Sequence, residues 1–166
     1  MSENMKYKPV DTPSSMLNEP MAAYGVQTPN LFNTLFGGVQ LGLMTDFDIL
    51  KSAREGFSKH VLMALAKKIS LTVQELANIM HISERTLQRY DDNDIIKTEY
   101  AEKAVELARL YTRGEEVFGS MDKFKIWMKT PIHVFRGEAP VSLLDTSIGF
   151  DMVFKELGRI EHGIFA

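Results

Sequence analysis

The chain has 166 residues, a formal net charge of −3 and 45% hydrophobic residues, which is typical of a globular protein of one or two domains. It contains no cysteine, which excludes disulfides and thiolate metal sites and favours an intracellular setting. No apolar run reaches the roughly 18 residues that span a bilayer, and the N-terminal segment lacks the apolar core of a signal peptide. We therefore expect a cytoplasmic protein with no membrane partner.

Charge is distributed unevenly along the middle of the chain. Residues 51–90 hold seven lysines and arginines against three glutamates, whereas residues 91–116 hold eight acids against four bases. Because a nucleic-acid duplex attracts cations locally, the basic stretch favours contact with DNA. The alternative is that these charges only solvate helix faces.

The first 40 residues are predicted to form a flexible arm. They are rich in Pro, Ser, Asn and Met and show no sustained hydrophobic period. Near the end of this arm, the apolar pairs Leu31-Phe32 and Leu35-Phe36 are expected to dock on some surface, which the sequence does not identify. From Thr45 onward the hydrophobic spacing is helical and no stretch alternates like a strand, so an all-α fold is expected.

Capping residues indicate where the predicted helices begin and end. The N-cap candidates are Thr45, Ser58, Thr72, Ser83, Thr98, Ser120 and Thr146. The candidate stops are Gly56, Gly114, Pro131 and Gly163. Gly114 is expected to interrupt the helix that Thr98 begins, leaving a separate short helix over residues 115–118. Pro140 is expected to begin a short helical turn.

Residues 73–90 have the pattern of a helix-turn-helix. Ala77 supplies the small residue where two helices cross, and Met80, Ile82 and Leu87 supply the buried contacts. His81 occupies the turn position commonly given to glycine, and histidine tolerates a positive φ better than most other residues.

The second helix of this pair is polar and basic, as a recognition helix would be. Its N-terminal side chains would face base edges, where Arg85 suits guanine and Gln88 suits adenine. The candidate DNA-binding residues are Ser83, Arg85, Thr86, Gln88 and Arg89. Acidic Glu84 and the cluster 91–94 count against DNA binding, and the alternative is two amphipathic helices in an ordinary bundle.

Residues 115–166 carry a second and more specific pattern. Its markers are Trp127, Pro131, Gly137, Pro140, Leu143, Leu144, Thr146, Gly149 and the string Leu-Gly-Arg-Ile-Glu-His-Gly at 157–163. The pattern resembles the C-terminal toxin-binding domain of Xre-type antitoxins (the Xre/MbcA/ParS group), which closes on an Arg-Ile-Glu-His-Gly string. With the helix-turn-helix upstream, the resemblance covers residues 45–166.

The resemblance implies an architecture and a function. It divides the chain into an arm (1–40), an Xre-like helix-turn-helix domain (41–113) and a toxin-binding domain (114–166). It implies the antitoxin of a type II pair, which neutralises a RES-domain toxin that consumes NAD and, as a homodimer on operator DNA, represses its own operon. The implied toxin-binding residues are Arg159, Glu161, His162, Gly163, Ile164, Phe165 and Ala166.

The residues alone leave alternatives open. Arg159 and His162 share a helix face, but Arg159 and Glu161 are equally well explained as solvated surface, and Phe165 as folded back on its own core. The chain has no glycine-rich phosphate loop and no metal-binding His-Glu pair on one helix, so we expect no enzyme, cofactor or metal. The competing functions are a helix-turn-helix regulator without a toxin and a neutraliser that has lost DNA binding.

Overall fold

The computed structural model describes residues 31–36, 45–96 and 98–163. Most of the predicted arm and the predicted toxin-binding tail Ile164, Phe165 and Ala166 lie outside these described residues.

The described residues are mostly helical. The helices are α1 (Leu31–Leu35), α2 (Asp46–Glu55), α3 (Lys59–Lys68), α4 (Val73–Ile79), α5 (Glu84–Arg89), α6 (Thr98–Phe118), α7 (Met121–Lys129) and α8 (Ser147–Glu161). Short 3-10 turns cover His133–Phe135 and Pro140–Leu143. The all-α prediction is therefore confirmed.

A small β-ribbon accompanies the helices. Strands β1 (Phe57–Ser58) and β2 (Ile95–Ile96) pair antiparallel, with Phe57 opposite Ile96. The sequence did not predict this ribbon, because two residues are too few to show the alternation of a strand.

Reciprocal capping boxes form at two of the predicted helix starts, those of α2 and α4. At α2 the Thr45 hydroxyl accepts a hydrogen bond from the amide of Asp48 (3.3 Å), whose carboxylate accepts from the Thr45 amide (2.8 Å). Thr72 and Glu75 form the same reciprocal box at α4, at 3.1 and 2.7 Å. Ser58 precedes α3 as predicted, although its side chain makes no capping bond.

The prediction that Gly114 interrupts a helix is wrong. Helix α6 continues through it to Phe118, so residues 115–118 are not a separate helix. A Cβ at position 114 would lie 2.3 Å from the ring of Phe124, which is fully buried. Glycine is required here because α7 brings an aromatic ring against the α6 backbone, and the helix tolerates it at a cost of about 1 kcal/mol.

Helix α6 is the centre of the fold. It contacts α1, α2 and α3 from the first half of the chain and α7 and α8 from the second. Leu31 and Leu35 of α1 are buried against α3 and α6, so the expected docking of these apolar residues is observed. The last part of the predicted arm is thus a packed helix, because leucines four apart share one side of a single helical turn.

Helix-turn-helix and C-terminal helix as candidate functional sites

Helices α4 and α5 form the predicted helix-turn-helix. Ala77, Met80 and Leu87 are almost fully buried, as expected for the crossing residue and its supports. His81 adopts the left-handed conformation with φ of +53°, which confirms its place at the turn.

His81 also links the turn to the C-terminal part of the chain. Its Nε2 atom lies 2.6 Å from the carbonyl oxygen of Asp145, just before α8, so that nitrogen carries the hydrogen and donates it. A second link joins Lys129 Nζ of α7 to Glu75 Oε2 of α4 at 3.3 Å. Between the turn and the segment before α8 lies a cleft of about 490 Å³. The sequence could not predict these contacts, because their partners are 64 and 54 residues apart.

All five predicted DNA-binding side chains are exposed on or beside α5. The Ser83 hydroxyl accepts from the Thr86 amide at 3.0 Å and shares a second hydrogen bond with the Thr86 hydroxyl at 2.6 Å. The Ser83 hydroxyl therefore caps the helix, and the Thr86 hydroxyl is bonded to that cap. Arg85 and Arg89 form no ion pair among the described residues, which leaves both guanidinium groups available to a phosphate or base edge.

The acidic cluster 91–94 is folded onto the N-terminus of α3. The carbonyls of Asp92 and Asp94 accept hydrogen bonds from the amides of His60 and Lys59, at 2.9 and 3.0 Å. Placing acids at the positive end of a helix dipole is favourable, which gives this cluster a structural purpose. Glu84 is exposed in the first turn of α5, so its negative charge also lies at the positive end of a helix dipole.

Lys59 holds the C-terminal end of α5 and was missed by sequence reasoning. Its ammonium donates to the carbonyl oxygens of Tyr90 (2.6 Å) and Gln88 (3.4 Å) and lies 3.7 Å from an Asp92 carboxylate oxygen. Only 17% of the Lys59 side chain is exposed. Carbonyls at the end of a helix lack partners within the helix, so this partly buried ammonium anchors the C-terminal end of α5.

The C-terminal helix α8 buries one side, as its spacing predicts. Phe150, Val153 and Leu157 are buried, and Thr146 caps the helix by accepting from the Gly149 amide at 3.0 Å. A Cβ on Gly149 would lie 1.7 Å from the carbonyl oxygen of Leu143. The glycine therefore lets α8 begin directly against the backbone of the preceding 3-10 turn.

Two side chains of the string at the end of α8 form ion pairs within the chain itself. Arg159 lies 3.5 Å from Glu156, and Glu161 pairs with Arg113 of α6. His162 is exposed, and Gly163 adopts a φ of +67° that ends the helix. Two of the three predicted polar contacts to a toxin thus also have partners within the chain.

An aromatic cluster joins α6 to α7. The rings of Trp127 and Phe124 stack with their centroids 5.7 Å apart, and Tyr111 meets Phe124 edge-on at 5.1 Å. Trp127 is only partly buried, whereas Tyr111 is fully buried and its hydroxyl has no partner among the described residues. Burial, with a smaller contribution from the carboxylate of Glu75, raises the pKa of Tyr111 well above its ordinary value.

Two other classes of feature do not occur in the described ranges. No group of three or more His, Asp or Glu side chains in 31–36, 45–96 or 98–163 is arranged to hold a metal ion. No helix within that part of the chain is long and apolar enough to cross a membrane.

Each half of the chain matches a known protein family. Residues 48–109 match the family described as the antitoxin Xre-like helix-turn-helix domain. Residues 113–163 match the antitoxin Xre/MbcA/ParS C-terminal toxin-binding domain.

Curated relatives agree with these matches. An antitoxin Xre of Yersinia enterocolitica is 32% identical over 121 residues, covering 71% of this chain and 81% of the relative. An antitoxin Xre of Photorhabdus laumondii is 37% identical over 65 residues, covering 39% and 44% respectively. A solved structure of the M. tuberculosis MbcT-MbcA toxin-antitoxin complex aligns with a TM-score of 0.47 at 19% identity, over 65% of this chain and 96% of that chain. With a helix-turn-helix domain, a toxin-binding domain and a relative matched over most of its length, the chain belongs to the Xre antitoxin family.

Proposed function

We propose that this antitoxin neutralises its cognate toxin through the outward side of α8 and the tail that follows it, and that the toxin is a RES-domain enzyme that consumes NAD. The family to which residues 113–163 belong carries the proposal of toxin binding. The RES assignment rests on the resemblance of the end string at 159–163 to that of antitoxins paired with such toxins. A toxin that consumes NAD would act in the cytoplasm, so the antitoxin acts there too. It neutralises the toxin by binding it and not by catalysis.

Exposure along α8 supports the proposed surface. Its outward side carries Ile148 and Met152, which are 74% and 40% exposed and one helical turn apart. Arg159 follows towards the C-terminus on the same helix, and His162 and Gly163 come just after its end and precede residues 164–166 in the chain. Within the end string, we assign contact with the toxin to Arg159 and His162. Glu161 fixes the point at which the tail begins, through its pair with Arg113.

Co-expression of the antitoxin with the product of the adjacent gene tests this proposal. Deleting residues 164–166 and, separately, Ile148→Asp should each reduce co-purification of the toxin and protection of growth. Ile126→Asp is the matched control, because Ile126 is 69% exposed but lies on α7. Full protection by both the truncated chain and Ile148→Asp would refute the proposed surface. Absence of NAD loss on expressing the toxin alone would refute the RES assignment.

We further propose that the chain represses its own operon as a homodimer, with α5 as the recognition helix. The support is the exposure of Arg85, Gln88 and Arg89 on a helix anchored at both ends, by Ser83 and Lys59. A recognition helix reads base edges while its flanks contact phosphates, so the two arginines should contribute both affinity and salt dependence.

A mobility-shift assay on the chain's own promoter tests the recognition helix. The double variant Arg85→Ala with Arg89→Ala should bind the promoter more weakly. The slope of log affinity against log salt concentration should fall by about one for each arginine that contacts a DNA phosphate. Lys123→Ala with Lys155→Ala removes the same charge from exposed positions on α7 and α8 and serves as the control. Equal affinities of the two double variants for the promoter would show that α5 does not contact the DNA.

A further inference from the structure

His81 stands at a turn where glycine would be the less strained residue. Its φ is +53°, and the turn is closed by hydrogen bonds from the amides of His81 and Ile82 to carbonyls of α4, at 3.1 and 3.0 Å. Histidine tolerates a positive φ better than most residues, but glycine, which has no Cβ, adopts it freely. A strained residue in a fixed turn is a reason to look for a task that its side chain performs.

The imidazole of His81 reaches from the helix-turn-helix domain to the toxin-binding domain. Its Nε2 donates to the carbonyl oxygen of Asp145 at 2.6 Å. Asp145 directly precedes Thr146, the N-cap of α8, so the bond is made to the segment from which α8 begins. Both His81 and Asp145 line the cleft of about 490 Å³. The hydrogen bond therefore crosses an open cleft and not a packed interface.

A second residue of the helix-turn-helix domain contacts the first turn of α8. The Lys103 ammonium lies 3.3 Å from the Ser147 hydroxyl and 4.7 Å from the centroid of the Phe150 ring. Only 17% of the Lys103 side chain is exposed. Between its two contacts in the sequence lies Ile148, which belongs to the proposed toxin surface. Side chains from the first half of the chain therefore hold the beginning of α8 both before its N-cap and within its first turn.

We propose that His81 is a positioning residue for toxin binding, whose imidazole holds the start of α8 in the geometry in which Ile148 meets the toxin. The turn between α4 and α5 then serves the toxin-binding surface as well as the proposed recognition helix. This role rests on the proposed toxin surface of α8. Because His81 is exposed, water competes for its hydrogen bond. Loss of the bond should therefore weaken toxin binding by about 3–10-fold and not abolish it.

Three substitutions of His81 separate its hydrogen-bond donor from the backbone of the turn. His81→Gly removes the imidazole and relieves the positive φ, so the chain should melt close to the wild type. His81→Asn also tolerates a positive φ, but its amide nitrogen is one bond closer to the backbone than the histidine Nε2 and falls short of Asp145. His81→Gln carries its amide nitrogen as many bonds from the backbone as Nε2 and can donate in its place.

Calorimetric titration of the full-length variants with the purified product of the adjacent gene measures the effect. His81→Gly and His81→Asn should each bind this toxin about 3–10-fold more weakly than the wild type, and His81→Gln should bind as the wild type does. His60→Asn is the matched control, because its imidazole is exposed and makes no hydrogen bond among the described residues. Equal weakening by His81→Gly and His81→Gln would overturn the positioning role, since the donor would then not matter.

Hydrogen exchange tests the contact in the absence of toxin. Amides of residues 147–150 should exchange faster in His81→Gly than in the wild type or His81→Gln, because the start of α8 is less firmly held. Wild-type exchange rates in His81→Gly would show that the hydrogen bond does not hold this segment and would overturn the proposal.

Ile148→Asp distinguishes failure of this role from failure of the function on which it rests. If Ile148→Asp binds the toxin weakly and His81→Gly binds it as the wild type does, the positioning role is overturned and the toxin surface stands. If Ile148→Asp binds the toxin with full affinity, the toxin surface on α8 is overturned, and the role of His81 falls with it.

Discussion

Removing the ammonium of Lys59 should weaken both the fold and operator binding. Lys59→Met keeps most of the aliphatic stem and deletes the donor to the carbonyl oxygens of Tyr90 and Gln88. A hydrogen bond from a charged donor contributes about 1.5–3 kcal/mol. The longer bond to Gln88 and the 3.7 Å pair with Asp92, which is 79% exposed, add little. We therefore expect the free energy of unfolding to fall by about 2 kcal/mol.

Thermal and urea unfolding followed by circular dichroism measure this change. A loss of about 2 kcal/mol corresponds to a melting temperature lower by about 4–8 °C for a chain of this size. Operator affinity, measured well below the melting temperature, should also fall, because the C-terminal end of α5 is no longer held. Lys123→Met removes an exposed lysine from α7 and should change neither quantity. If Lys59→Met and Lys123→Met unfold with the same free energy, the contacts to the α5 carbonyls do not stabilise the fold.

Three further predictions concern the core between α6 and α7. Tyr111→Phe should be neutral or stabilising at pH 7, since the hydroxyl has no partner among the described residues. The pKa of Tyr111 is raised above its ordinary value of 10. The free energy of unfolding of the wild type should therefore be unchanged by this group below pH 10 and should fall as the pH rises further. Urea titrations at alkaline pH should show a smaller fall for Tyr111→Phe. Gly114→Ala should cost about 1–3 kcal/mol through its clash with Phe124, despite the better helix propensity of alanine, and a more stable variant would contradict the packing argument. Trp127→Ala should cost about 3 kcal/mol, the low end for an aromatic truncation because the ring is only partly buried, and calorimetry showing no change would place the ring outside the core.

Local signals account for most of what the sequence predicted correctly. A capping box such as Thr72 with Glu75 involves only four consecutive residues, so the sequence alone predicts it. The same holds for the positive φ of His81, which the helix-turn-helix pattern requires at that turn. The buried stripe of α8, from Phe150 to Leu157, follows directly from helical spacing.

The errors arose where a distant partner decides what a residue does. Gly114 has the local signature of a helix break, and only the ring of Phe124 reveals that it is a packing residue. Lys59 resembles any surface lysine at a helix start until α5 ends beside it. The acidic cluster 91–94 still counts against DNA binding, but the sequence does not reveal that its backbone carbonyls accept hydrogen bonds from the N-terminus of α3. None of these partners lies within one helical turn, so no periodic pattern can indicate them.

The end string at 159–163 shows why a family motif does not by itself identify contacts. Glu161 pairs with Arg113, whose guanidinium also lies 3.1 Å from Glu116, so the last turn of α8 is fastened to the side of α6. That contact fixes the point from which the tail leaves the domain, whether or not Glu161 touches a toxin. Glu161→Gln should therefore reduce protection by loosening the tail, and Arg113→Gln, which lies outside the string, should reduce it equally. A toxin contact by Glu161 alone would make its variant the more severe of the two, and calorimetric titration of the toxin with both variants distinguishes these cases.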